Sequence, residues 1–122
     1  MTLSHTVSVQ DIGMIRIYLK PREKAVESTL KRFWHAKPLY RQLVEQAKAS
    51  GLVNAIAHQT HYGYSNHGRV QAEGYELANP ELTMCVELIG AREQLEAFCA
   101  THGAVLANKV IVYKHLEHWR VS

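Results

Sequence analysis

Hydrophobic and polar positions alternate along this chain with two different periods. Met14-Ile15-Arg16-Ile17-Tyr18-Leu19 is rich in β-branched residues and sets Ile15, Ile17 and Leu19 on one face. Met14, Arg16 and Tyr18 share the other face, which is amphipathic rather than plainly polar. Lys20-Pro21 ends this strand, because proline has no N–H to give to a sheet ladder. The pattern over residues 38–50 predicts a helix. Leu39, Tyr40, Leu43, Val44 and Ala47 form an apolar stripe, and Arg41, Gln42, Glu45, Gln46 and Lys48 point away. Pro38 suits the first turn, and Gly51 suits the left-handed residue just past the end. The connection over residues 20–37 is too long to be structureless in a compact domain. A short helix over residues 22–32, with Phe33-Trp34 docked on the body, accounts for it.

Residues 52–62 predict a second strand, in which Ile56, His58, Thr60 and Tyr62 alternate with Ala55, Ala57, Gln59 and His61. A polar, glycine-spaced surface loop follows over residues 63–80. Residues 82–89 form a third strand, broken by Gly90. Residues 91–101 form a second helix burying Ala91, Leu95 and Phe98, with Gly103 closing it. A last strand runs over residues 104–113, before a polar end. Strand, helix, strand, loop, strand, helix, strand is the order of an α+β, ferredoxin-like βαββαβ sandwich. One domain over residues 13–114 is expected, with an N-terminal tail at 1–12 and a C-terminal tail at 115–122. Two helices cover only one face of a four-stranded sheet, so the other face predicts a homo-oligomer.

Composition agrees with a single domain. The chain has 122 residues, 47% hydrophobic and 20% charged, which excludes wholesale disorder. It contains no apolar run of spanning length and no secretory signal pattern at its start, so a cytoplasmic protein is expected. Two cysteines, Cys85 and Cys99, read as reduced thiols. The formal charge of +3 is too mild to imply a nucleic-acid partner. Arg16, Tyr18 and Lys20, followed by further basic residues and Phe33-Trp34, have the flavour of an RNA platform. The glycine–aromatic signatures of such platforms are missing, so no nucleic-acid partner is expected.

Eight histidines are many for this length. His58 and His61 lie three apart on a predicted strand and point to opposite faces. His115 and His118 would share a helix face at i, i+3, but no third ligand is forced nearby. No Cys-x-x-Cys pair is present, so no metal site is assigned. Both cysteines sit among apolar neighbours and no nucleophile–base pairing is visible, so no catalytic residue and no enzymatic activity are expected. The loop leaves two readings open. Gly63, Gly68 and Gly74 permit backbone conformations that cup an anion, gripped by His67 or Arg69, or they serve a plain flexible hairpin.

At Ala36-Lys37-Pro38-Leu39-Tyr40, Ala49-Ser50-Gly51-Leu52 and Gly63-Tyr64 the chain resembles the PII-like proteins long catalogued only as a domain of unknown function. Glu87-Leu88-Ile89, Glu93-Gln94-Leu95-Glu96-Ala97-Phe98 and Lys109-Val110 extend the resemblance over residues 13–114. It implies a ferredoxin-like protomer, a homotrimer and a signalling role. PII proteins bind adenine nucleotides between subunits, and their long loop, the T-loop, docks on transporters or enzymes. That loop corresponds here to residues 63–80. The resemblance implies no resident cofactor, an adenine nucleotide or small anion as effector, and a membrane transporter or other regulated protein as partner.

Carried over residue by residue, it points to Arg69, Lys109 and Lys114 as phosphate contacts and to Tyr64 beside Gly63 at the loop hinge. Gly103 stands in the anion turn that follows the second helix. Here that turn is reduced to His102-Gly103-Ala104, and the Gly-aromatic-Gly of the family is Gly63-Tyr64-Ser65. His67 and His102 are placed to make anion binding depend on pH. The alternative is a trimeric metal-binding protein like the related CutA proteins.

Overall fold

A computed structural model describes residues 4–23, 37–74 and 79–122. Its elements in chain order are β1 (Val7–Leu19), α1 (Leu39–Ala49), β2 (Asn54–Gln59), β3 (Tyr62–Gly63), β4 (Gln71–Ala72), β5 (Met84–Gly90), α2 (Arg92–Thr101), α3 (Gly103–Leu106) and β6 (Val110–Val121). The main sheet has the order β2-β5-β1-β6 with every pair antiparallel. Each helix therefore carries the chain past one intervening strand, which is the ferredoxin-like βαββαβ topology expected from the pattern. β3 and β4 form a separate small hairpin. Among the described residues, no helix is long and apolar enough to cross a membrane.

The two periods read from sequence meet in one core. Ile15, Ile17 and Leu19 pair across the sheet with Leu88, Val86 and Met84, and all six are buried beneath the helices. Leu39, Leu43 and Ala47 come down from α1, and Leu95 and Phe98 from α2. Ile17, Val86 and Leu88 show no exposed surface, so this layer carries most of the apolar burial that holds the domain together. α1 stops where Gly51 takes φ +80°, a conformation open to glycine and costly for residues with a Cβ. At the start of α2, Gln94 Oε1 accepts a hydrogen bond from the Ala91 N–H at 3.1 Å, the return half of a capping box.

Four expectations are corrected. The two expected tails are strand: residues 7–12 pair with 116–121, from Val7 opposite Val121 to Ile12 opposite Leu116. Thr6 and Ser122 exchange both backbone hydrogen bonds at 3.0 Å and close that ladder. The reason lies in the partner strand, since each segment supplies the backbone groups that the other needs. Gly103 does not simply close a helix; it opens the short α3, whose Leu106 is buried, and the last strand starts at Val110 instead of residue 104. The second strand breaks after Gln59, where the Thr60 hydroxyl donates to the Thr83 carbonyl outside the ladder. His115 and His118 sit on β6 and so face opposite sides of the sheet. The helix expected over residues 22–32 lies almost wholly outside the described residues.

The second face of the sheet has no helix on it among the described residues. Across it run Ile56, Glu87, Arg16 and Val112 in one row, with His58, Cys85, Tyr18 and Val110 in the next. Ile56 and Val112 are exposed apolar residues there. Arg16 Nε donates to Glu87 Oε1 at 3.1 Å, so the central charges of this face are paired. The Glu87 carboxylate holds the Arg16 guanidinium above its usual pKa.

Candidate functional site

The end of β1, the β3–β4 hairpin and the turn into β6 converge on one cleft of about 400 Å³. Each wall has a local cause. Lys20-Pro21 turns the chain out of the sheet, and the Glu23 N–H donates to the Lys20 carbonyl at 3.1 Å to close that turn. Across the hairpin, Tyr62 faces Ala72 and Gly63 faces Gln71. At its tip, the Gly68 N–H donates to the Ser65 carbonyl at 2.9 Å, and Asn66 and His67 both take left-handed φ, +51° and +58°. Two left-handed central residues make the type I′ turn that matches the twist of a hairpin. The tip rests on the turn before β6, with Asn66 Nδ2 donating to the Asn108 carbonyl at 3.3 Å. At its base, Asn79 Nδ2 donates to the Ala72 carbonyl at 2.8 Å, and His61 Nδ1 lies 3.0 Å from Glu73 Oε1.

Charged groups line the cleft. Lys109 Nζ pairs with Glu23 Oε2, their side chains only 18% and 28% exposed. Lys20 Nζ pairs with Glu81 Oε1 at 2.6 Å in a more open setting, at 57% and 54%. Arg69 also lines the cleft and is exposed. Ser65, Asn66 and Gln71 add neutral polar groups. Such a lining suits a polyanion with hydrogen-bonding substituents, recognised by cations and amides.

Two of the residues singled out from sequence, Arg69 and Lys109, come together here from opposite ends of the second half of the chain. His67 sits in the tip turn, exposed, beside the cleft but not lining it. Gly63 and Tyr64 belong to the hairpin, with Tyr64 63% exposed and outside the cleft lining. Gly103 opens α3, outside the cleft, and a Cβ there would meet nothing within 4 Å. Lys114 pairs with Met14 on the open sheet face, so it does not reach this cleft within its own protomer. His102 also lies elsewhere: its ring packs on Phe98 with centroids 4.5 Å apart, and burial pushes its pKa down. Burial likewise pushes both thiols up, Cys85 and Cys99, so neither is a ready nucleophile. Among the described residues, no three His, Cys, Asp or Glu side chains gather as a metal site.

Sequence reasoning missed Glu23, Lys20, Glu81 and Asn108 as cleft residues. None stands in a motif, and only the sheet order brings the turn after β1 beside the turn before β6.

The chain shares its fold with two solved proteins. It is similar to the structure of CPII bound to ADP and bicarbonate from Thiomonas intermedia K12, at 12% identity and a TM-score of 0.58, covering 93% of each chain. It is also similar to a protein from Thermus thermophilus described as a PII-like signaling protein, at 13% identity and a TM-score of 0.54, covering 92% of this chain and 91% of that one. The family model described as DUF190, Uncharacterized ACR, matches residues 13–118, and the chain belongs to that family.

Proposed function

We propose that this protein is a non-enzymatic PII-like regulator that takes an adenine nucleotide or small anion at the charged cleft. The observation that carries the reading is the joining of Arg69, on the loop side, with Lys109, on the β6 side, in one cleft. The loop tip and the anion contacts are thus parts of one surface. A ligand that prefers one arrangement of the hairpin shifts its population, and a partner reads the shift. A membrane transporter or another regulated protein in the cytoplasm suits that role. The likeness to CPII, whose structure holds ADP and bicarbonate, supports the choice of effector class.

The same reading assigns a homotrimer. The open sheet face, with Ile56 and Val112 around the Arg16–Glu87 pair, is the surface that assembly would cover. Nucleotides would then bind where one protomer's cleft meets its neighbour.

Thermal denaturation with ATP, ADP, AMP and cyclic AMP tests the effector. A ligand present at 100 times its Kd stabilises the folded state by about 2.7 kcal/mol, a rise of several degrees in Tm for a domain of this size. At least one of the four is expected to give that rise. A Tm unmoved by all four at millimolar concentration overturns the nucleotide reading.

A further inference from the structure

Lys109, the best shielded cation of the cleft, already holds an anion that the chain itself supplies. Glu23 Oε2 sits on its Nζ, with both side chains more than two-thirds removed from solvent. The Glu23 backbone is pinned on both sides. Its N–H donates to the Lys20 carbonyl at 3.1 Å, and its carbonyl accepts from the Leu39 N–H at 2.6 Å, at the start of α1. The carboxylate can therefore leave Lys109 only by rotating about a fixed backbone.

We propose that Glu23 is a built-in competitor for anions, a carboxylate that occupies Lys109 until a phosphate group displaces it. The inference rests on the anion-binding reading of the cleft and adds the residue that sets its threshold. An arriving polyanion has to break the Lys109–Glu23 pair and then sit near the displaced carboxylate, whose charge repels it. Both effects weaken binding, and both act through the charge of Glu23 rather than its shape. A weak monoanion gains too little from Lys109 to displace Glu23; a group with two or more charges gains enough. The device thus favours di- and triphosphates over singly charged anions. The second pair, Lys20–Glu81, is more than half exposed, so water screens it and it has no comparable effect.

Glu23→Gln keeps the shape and removes the charge. Calorimetric titration with inorganic pyrophosphate is expected to show about tenfold tighter binding to Glu23→Gln than to wild type, the size of effect that 1.4 kcal/mol gives. Glu45→Gln, at the exposed Lys37–Glu45 pair outside the cleft, is expected to stay within about twofold of wild type. Glu23→Asp, which keeps the charge on a shorter side chain, decides the matter if Glu23→Gln melts well below wild type; an intermediate gain is then expected. Unchanged or weaker pyrophosphate binding in the folded variant overturns the proposal, as does pyrophosphate binding to neither protein. ADP titrated into the same samples separates the two readings. A pyrophosphate gain without ADP binding keeps the Glu23 role and sinks the nucleotide effector, whereas ADP binding without a pyrophosphate gain does the reverse.

Discussion

His102 shows how far a single residue's environment can depart from its apparent place in a motif. Its position after the second helix suggests an anion turn, yet its ring lies on Phe98 and is half-buried. Burial holds its folded pKa below the ordinary histidine value of about 6.5. The unfolded chain therefore binds the proton more readily than the folded one. The folded state keeps its full stability above about pH 6.5, and stability falls as pH drops through that value towards the lowered folded pKa. His102→Gln removes the titrating group, so the loss of Tm between pH 7.5 and pH 5 should be smaller in the variant than in wild type. An identical loss in the two proteins would show that His102 titrates as freely in the folded chain as in the unfolded one. Gly13 carries a second constraint that no local pattern signals. It lies opposite His115 on β1, and a Cβ built there would come within 2.6 Å of the Tyr113 ring. That ring in turn carries the Arg92 guanidinium 5.0 Å from its centroid.

At the scale of elements, the parts written in local chemistry were legible and those created by pairing were not. Residues 38–51 announce α1 through the apolar stripe and Gly51, and the helix forms at Leu39–Ala49 with Gly51 at φ +80°. Gly51→Ala forces a Cβ into that left-handed conformation and is expected to destabilise the protein by about 1 kcal/mol, read as a lower urea midpoint with an unchanged slope. No change in midpoint would mean that the helix end relaxes without cost. The outer halves of β1 and β6 had only a weak signal, the alternation of Val7 with Val9 and of Trp119 with Val121. Each looks like a tail by itself because its polar residues interrupt any apolar run. Their strand character depends on the register that sets Val9 opposite Trp119, and sequence spacing cannot supply a partner. The same holds for α3, a four-residue turn whose Leu106 is drawn into the core by tertiary packing.

At the scale of the whole molecule, the described residues form a sheet with helices on one face and a charged cleft at one end, and that topology was predictable from element order. The candidate site was legible in part. Arg69 was singled out beside the glycine-spaced loop and Lys109 through the family resemblance, and the fold sets both in the lining of one cleft. Lys114 was indistinguishable from Lys109 by residue type and Gly103 was singled out only as a turn glycine, but strand register turns Lys114 onto the open sheet face and α3 holds Gly103 outside the cleft. Glu23 and Glu81 were invisible because carboxylates that neutralise a cation carry no spacing signature; only the folded chain sets them on Lys109 and Lys20.

Everything proposed for this molecule, from effector to loop switching, depends on an anion bound between Arg69 and Lys109. Isothermal titration of ADP into wild type, Arg69→Ala and Lys109→Ala measures that directly. The expected result is one ADP per protomer in wild type and an affinity at least about tenfold weaker in each variant, the loss of one charge-assisted phosphate contact. Equal affinity in all three proteins, or absence of heat in wild type with both ADP and pyrophosphate, would contradict it.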